Sequence, residues 1–429
     1  MKEIRQALIC FMAMVILGII IAFLLYKIEN VQSFEQGNIE SVLPKKQKEE
    51  VKVSKTIRVL IKTTGFKKAV HDRVEVSASQ GVRVICGECV EDYGPDEIVS
   101  IELKSSSAKV ETKKENDKIK IHSIERGCGT PSYHGSLEVF ESEGGMVVVN
   151  EVELEEYLCN VVPSEMPASY EKEALKAQAI CARSYAFNQM KEMSYPEYGA
   201  HVDDSVSFQV YNNSEAQTST NEAVLETAGE MLWYGDEVAK TYFYSTSSGN
   251  STSIEAWGTK LVDANQYLRG VSVTDMDGKD YEENLAWYKW NAVIPEKIMK
   301  KLLEKNAEKE IGELKGIEIT KKGQGGVVLE IEVKGTKETI VVETENRIRK
   351  MLGGEGYKIT KQDGSVINSM QMLPSAFFSL EKIGDSYIIS GGGYGHGIGM
   401  SQNGANELAK SGKDYKQILV FFYPGTKVK

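Results

Sequence analysis

The sequence predicts an α+β protein carried on a membrane anchor. Strand-like runs crowd residues 57–150, and a strongly patterned helical stretch occupies 171–190. The later strands and helices do not alternate as a doubly wound sheet requires. An uncharged run of 20 residues near the start stands apart from both regions.

That run, residues 7–26, is roughly 30 Å long as a helix, the thickness of bilayer hydrocarbon. Lys2 and Arg5 precede it, which keeps residues 1–6 in the cytoplasm and exports the rest. No small-x-small cleavage site follows, so the expectation is an uncleaved signal anchor in the cell membrane, with the C-terminal domain outside the cytoplasm. Residues 27–56 hold eleven charged residues in 30 and read as a solvated tether.

Residues 57–429 have the pattern of one folded domain in four sections. The first, 57–150, is strand-rich: β-branched runs at 57–62, 74–77, 82–85, 97–103, 119–122, 137–140 and 146–149 are separated by polar turns. The second, 151–290, is to carry the chemistry. Its helix at 171–190 has Leu175, Ala179, Ala182 and Ala186 on one face, acidic Glu171 and Glu173 in the first turn, and Ser169 as a cap. Strands are expected at 241–245 and 271–274. The third section, 291–365, predicts a Lys/Glu-rich helix over 296–314, a three-strand meander over 316–344, and a short helix at 347–352 stopped by Gly353 and Gly354. The fourth, 366–429, has a strand at 386–390, a glycine-dense turn at 391–399, and a helix at 401–410 that Gly412 ends.

Lys plus Arg is 51 and Asp plus Glu is 62, a net charge of −11. Residues 1–26 contribute +1 through Lys2, Glu3 and Arg5, which leaves −12 for the remainder. So acidic a chain lacks the basic surface that nucleic-acid binding needs. Net charge would not draw it to an anionic polymer of any kind. An apolar content of 41% suffices for a packed core, and six cysteines are too few for a disulfide scaffold.

Four groups of residues are candidates for function. Glu165 sits between Pro163 and Pro167, next to Val161, Val162 and Met166. A carboxyl desolvated there would have the raised pKa of a general acid; the alternative is an exposed Glu that satisfies backbone amides. Gln178 and Arg183 border the apolar stripe of the 171–190 helix, either lining a cleft or standing at the core edge. His396, in the glycine-dense turn, could form a binding wall with Ser401 and Gln402, or be a structural His. The turn fails the G-x-G-x-x-G and P-loop spacings, which argues against nucleotide. Cys86-x-x-Cys89, with Cys128 and His134, leaves open a small metal site, a disulfide or free thiols.

Taken together, residues 133–139 (YHGSLEV), 149–167 (VNEVELEEYLCNVVPSEMP), 173–186 (EALKAQAICARSYA), 393–405 (GYGHGIGMSQNGA) and 423–426 (YPGT) resemble the stage II sporulation protein D family, whose domain is shared with amidase enhancers. Weaker matches lie at 209–211, 247–249, 257–258 and 267–269. The likeness runs from about residue 57 to 426. It implies a membrane-anchored lytic transglycosylase of peptidoglycan acting in spore engulfment. Such an enzyme cleaves the β-1,4 bond between N-acetylmuramic acid and N-acetylglucosamine and leaves a 1,6-anhydro end. Glu165 matches the family's catalytic acid. Gln178, Arg183, Tyr211, His396, Ser401 and Gln402 are the expected cleft lining. The implied partners are glycan strands, an amidase and an engulfment complex. Two other readings stand beside it: a non-catalytic wall-binding enhancer of a partner amidase, and a structural member of the complex. One departure matters. Many members hold zinc in a segment resembling V-C-D-x-x-H-C-Q-V-Y, and here Asp203, Ser207 and Phe208 occupy the Cys, His and Cys positions. No cofactor is therefore expected; His201 and Asp203 are read as solvated loop residues, the alternative being a weak metal contact.

Overall fold

Alternating burial along the N-terminal strands accounts for their pairing. In Val82–Cys86, residues 82, 84 and 86 point inward and Arg83 outward. The computed structural model describes residues 56–429; the anchor segment 7–26 and all but the last residue of the tether lie outside the described residues. The largest sheet runs Val202–Asp203, Thr56–Ile61, Gly145–Glu153, Ser136–Ser142, Ser107–Thr112, Val82–Cys86, Cys89–Asp92, with Val70–His71 added beside Gly145–Glu153. All its pairs are antiparallel except Val202–Asp203 on Thr56–Ile61. A four-stranded sheet containing Glu75–Ala78 and Ile119–Ile121 shares its core. The α+β class holds. The expected strand at 97–103 shrinks to Val99–Ser100, and 271–274 makes only isolated bridges.

Seven helices are described: α1 (Leu154–Glu165), α2 (Lys172–Glu192), α3 (Thr218–Glu226), α4 (Glu296–Ala307), α5 (Glu345–Leu352), α6 (Gln402–Lys410) and α7 (Tyr415–Phe422). Among the described residues, no helix is long and apolar enough to cross a membrane. The strand Gly145–Glu153 runs straight into α1, which the sequence reading missed. Its buried Leu154, Tyr157, Leu158, Val161 and Val162 follow helical spacing. Pro163 lies inside its last turn, and Pro167 forces Met166 into an extended conformation, so the helix ends at Glu165.

Helix α2 is more than amphipathic. It is packed by α1, α3, α6 and α7, and thirteen of its 21 residues are buried. Its alanines allow that close approach. Ser169 does not cap it: the boundary residue is Glu171, whose backbone N–H donates to Asn406 Oδ1 of α6 at 2.9 Å. Ser401 does cap α6, its hydroxyl accepting from the Gly404 N–H at 3.2 Å.

A second core spans Trp290 to Ile389. Its five-stranded sheet places Trp290–Pro295 between Lys358–Lys361 and Ser386–Gly391. The meander appears as Leu314–Lys322, Val328–Gly335 and Thr339–Glu343, packed with α4 and α5. A boundary near 365 therefore cuts through this core. Helix α4 stops at Ala307, where Glu308 turns left-handed (φ 53°), and Leu314 is already strand.

Candidate active site

Glu165 is the last residue of α1, and its half-buried side chain turns into the protein. Its Oε1 accepts the Val210 N–H at 2.6 Å. Burial pushes its pKa up to about 7, and the Val210 bond only partly opposes this. The residue as a whole is part-buried, and its carboxyl is held by the Val210 N–H. No cation pairs with it in the described structure. The result is an acid protonated near neutrality that still touches the surface.

Gln402, the first residue of α6, donates from Nε2 to the Glu165 carbonyl at 3.1 Å. The same Nε2 lies 3.4 Å from Gln178 Oε1. Gln178 is fully buried, and its Nε2 has no hydrogen-bond partner. Such an orphan amide inside a protein is uncommon and leaves a donor that the fold does not use. Glu165, Gln178 and Gln402 thus come together although residues 165 and 402 lie 237 apart in the chain.

The glycine-dense turn leads directly into Gln402 through Met400–Ser401. Phe243–Tyr244 pairs parallel with Met400–Ser401, next to Gln402. Glycine is needed at 399, where φ is +77° and a Cβ would lie 2.1 Å from the Tyr242 carbonyl. Gly399→Ala is therefore expected to cost at least about 2 kcal/mol of stability, read by urea unfolding. His396 accepts the Ile398 N–H at Nδ1 (3.0 Å) and packs against Trp257 (4.9 Å between centroids) and Tyr244 (5.6 Å). Burial, aided by nearby Arg349, pushes its pKa down to about 3, so it is neutral although the residue as a whole is only part-buried.

Ser401 is fully buried and donates to Glu282 Oε2 at 3.0 Å. Glu282 was not anticipated. It is a buried acid held by the Ser247 N–H (2.9 Å) and hydroxyl (2.6 Å), with its pKa raised to about 7 by burial. Its position in an acidic, turn-rich stretch gave no sequence signal. Ser401 is therefore a cap and an acid's partner rather than a cleft wall.

Two other expected lining residues are corrected. Arg183 is fully buried and bidentate on Glu155 (2.8 and 2.7 Å), and it also donates to the carbonyls of Val224 and Glu230. It ties α2 to α1 and α3, with no donor left for a ligand. Tyr211 is fully buried, stacks on Tyr157 and Tyr133, and donates to Asn150 Oδ1 at 2.9 Å.

The segment matching the family's zinc site is also not solvated. Asp203 is buried; its Oδ1 accepts the Ser205 N–H and hydroxyl, and its Oδ2 accepts Tyr195 OH at 2.7 Å. His201 Nδ1 accepts the Arg58 N–H at 3.0 Å. Phe208 presents carbon and stacks on Tyr195. With both Asp203 oxygens and His201 Nδ1 engaged, and no thiolate, these residues do not suit zinc. Next to them, Arg126 and Asp204 form a wholly buried ion pair at 2.6 Å. Cys86 and Cys89 face each other in a hairpin as free thiols, whereas Cys128 bonds the Asn212 carbonyl and His134 lies near Glu156. They do not converge on a metal.

Fold and site define an α+β protein with one protonatable acid at a helix end, backed by amides and faced by a glycine-rich turn. Residues 142–234 match the family model of the stage II sporulation protein, and 236–399 match a domain of unknown function. The chain is 32% identical over 296 residues to stage II sporulation protein D of Bacillus subtilis, covering 65% of this chain and 75% of that one. An uncharacterised protein of Brachyspira hyodysenteriae is 30% identical over 69% of this chain and 72% of its own. An amidase enhancer of Bacillus subtilis is 31% identical over 63% of this chain but only 40% of its own. The chain belongs to the stage II sporulation protein D family, a sporulation family linked to the cell wall.

Proposed function

We propose that this protein is a lytic transglycosylase of peptidoglycan, held at the membrane by residues 7–26 and acting during engulfment. The observation that carries the reading is the Glu165 carboxyl, buried without a cation and protonated near pH 7. Ordinary glycoside hydrolysis uses two carboxyl groups, one to handle water. The other acid of this region, Glu282, is fully covered and engaged by Ser247 and Ser401. One working acid suits intramolecular transfer.

Glu165 gives its proton to the glycosidic oxygen as the bond to the muramoyl C1 breaks, releasing the N-acetylglucosamine hydroxyl. The resulting carboxylate then takes the proton from the muramoyl C6 hydroxyl, whose oxygen bonds C1 and closes the anhydro ring. The nucleophile belongs to the substrate, so its positioning is already achieved on binding. Gln402 fixes the backbone of Glu165, and the fully buried Gln178 accepts from the same Gln402 amide.

The active form of free enzyme is the protonated one. kcat/KM is therefore expected to fall tenfold per pH unit above about 7, with a midpoint set by Glu165. A flat profile from pH 6 to 9 would reject Glu165 as the acid. The direct test incubates full-length protein in detergent with peptide-free glycan strands and seeks anhydromuramoyl ends by mass spectrometry. Absence of such ends from wild type would favour the second reading, an enhancer of a partner amidase. The relative of that name motivates this alternative.

A further inference from the structure

A row of part-exposed aromatic rings leads away from Glu165. Tyr185 of α2 follows Gln178 by about two helical turns and so lies on the same face, and Gln178 meets the Gln402 amide that binds the Glu165 carbonyl. Its ring lies 6.2 Å from Tyr242, and Tyr242 lies 4.7 Å edge-on to Trp257. Trp257 contacts His396 in turn. The Tyr242 carbonyl accepts the Met400 N–H at 3.0 Å, two residues from Gln402, which binds the Glu165 backbone. The row and the acid thus share one framework.

The row is braced from behind. Trp257 Nε1 donates to Glu345 Oε1 at 2.8 Å, and Glu345 pairs through Oε2 with Arg349 at 3.2 Å. Both belong to α5, in the second core, and both are buried. Arg349 also donates to the carbonyls of Leu373 and Pro374. All of these residues except Tyr185 fall within or beside 236–399, the stretch matching a domain of unknown function.

We propose that Tyr185, Tyr242 and Trp257 form a sugar-stacking wall of the Glu165 site, taking the apolar face of an N-acetylated pyranose, with Glu345 as the residue that positions Trp257. Aromatic faces bind such C–H surfaces without needing charge. The wall's chemistry favours a neutral ligand: Arg183 and Arg349 are spent on Glu155 and Glu345, and His396 is uncharged, so none of them offers a free positive charge to an anion. A phosphate-bearing polymer or a nucleotide does not fit. The proposal names a binding surface for the reading above and rests on it for the identity of the glycan.

The test uses full-length Glu165→Gln protein in detergent, so that ligand binds without being cut. N-acetylglucosamine tetramer is titrated by calorimetry and by tryptophan fluorescence. Saturable binding is expected, weakened about tenfold by Trp257→Ala or Tyr242→Ala and less by Trp257→Phe, which also removes the fluorescence response. In the otherwise wild-type chain, Glu345→Leu is expected to raise KM and leave kcat, and Glu345→Gln, which keeps an acceptor, to restore KM. Unchanged melting temperatures show that the variants fold; a variant that unfolds is replaced by Tyr185→Phe and Tyr185→Leu, of which only the second should weaken binding. Absence of tetramer binding, or binding indifferent to Trp257 and Tyr242, overturns the wall. Trp257-dependent binding with no anhydromuramoyl ends from wild type keeps the wall and overturns the transglycosylase reading. Anhydromuramoyl ends with Trp257-independent binding does the reverse.

Discussion

Glu165→Gln is expected to lower the release of anhydromuramoyl ends by roughly 10²–10⁴-fold while making the protein more stable at alkaline pH. The two effects share one cause. Burial raises the folded-state pKa to about 7 from the ordinary 4.5, so between those values the folded state holds a proton that the unfolded chain has released. Stability then falls as pH rises through this window and stays low above about 7. The ionised carboxyl costs at most about 3 kcal/mol there, less whatever its partial exposure recovers. The amide carries no charge at any pH. Thermal denaturation should therefore show the variant a few degrees more stable than wild type at pH 8 and equal to it at pH 4. A variant no more stable than wild type at pH 8 would mean that Glu165 titrates as an ordinary surface acid, and the proposed chemistry would lose its proton donor. Such a gain on removing a working group is the usual mark of a site that stability alone would not retain.

Arg126→Ala should be the most damaging single change to the fold, costing about 3–5 kcal/mol. Arg126 and Asp204 are wholly buried, and the guanidinium also donates to the Lys62 carbonyl at 2.6 Å. Asp204 Oδ1 accepts the Lys62 N–H at 3.1 Å. Even with Arg126 opposite, burial raises the Asp204 pKa to about 6; without Arg126 it must take up a proton or remain a bare buried charge. The loss should thus be smaller at pH 5 than at pH 8, by urea unfolding. Activity should suffer too. Asp204 begins the loop that ends in Val210 and Tyr211, and its carbonyl accepts the Tyr211 N–H at 3.2 Å. Loosening that loop withdraws the Val210 N–H from Glu165, which favours the protonated acid and moves the pH–rate midpoint upward. An unshifted midpoint in folded Arg126→Lys protein would show that this clasp does not reach the site.

Much of this architecture was readable along the chain because its signals are local. The meander and helix α5 follow from period-two and period-3.6 patterns closed by glycines. Helix α1 was legible too: Leu154, Tyr157, Leu158, Val161 and Val162 have helical spacing, but Pro163 and the β-branched pair masked it. A proline in the final turn gives up little, because Pro167 ends the helix two residues after Glu165 in any case.

The sequence by itself determined the class of fold, the motif around Glu165 and the glycine-dense turn, since prolines, glycines and apolar periods act on neighbouring residues. Only the tertiary structure decided what the polar side chains do. Gln178 and Arg183 sit on one helix and look alike on its wheel, yet one is left with an unused amide and the other is consumed by Glu155. Tyr211 belongs to an aromatic core, and Trp257 is set by Glu345, 88 residues away in sequence. Whether a polar group is paired, orphaned or protonated depends on what lies within a few ångströms of it, and in this protein those neighbours come from distant parts of the chain.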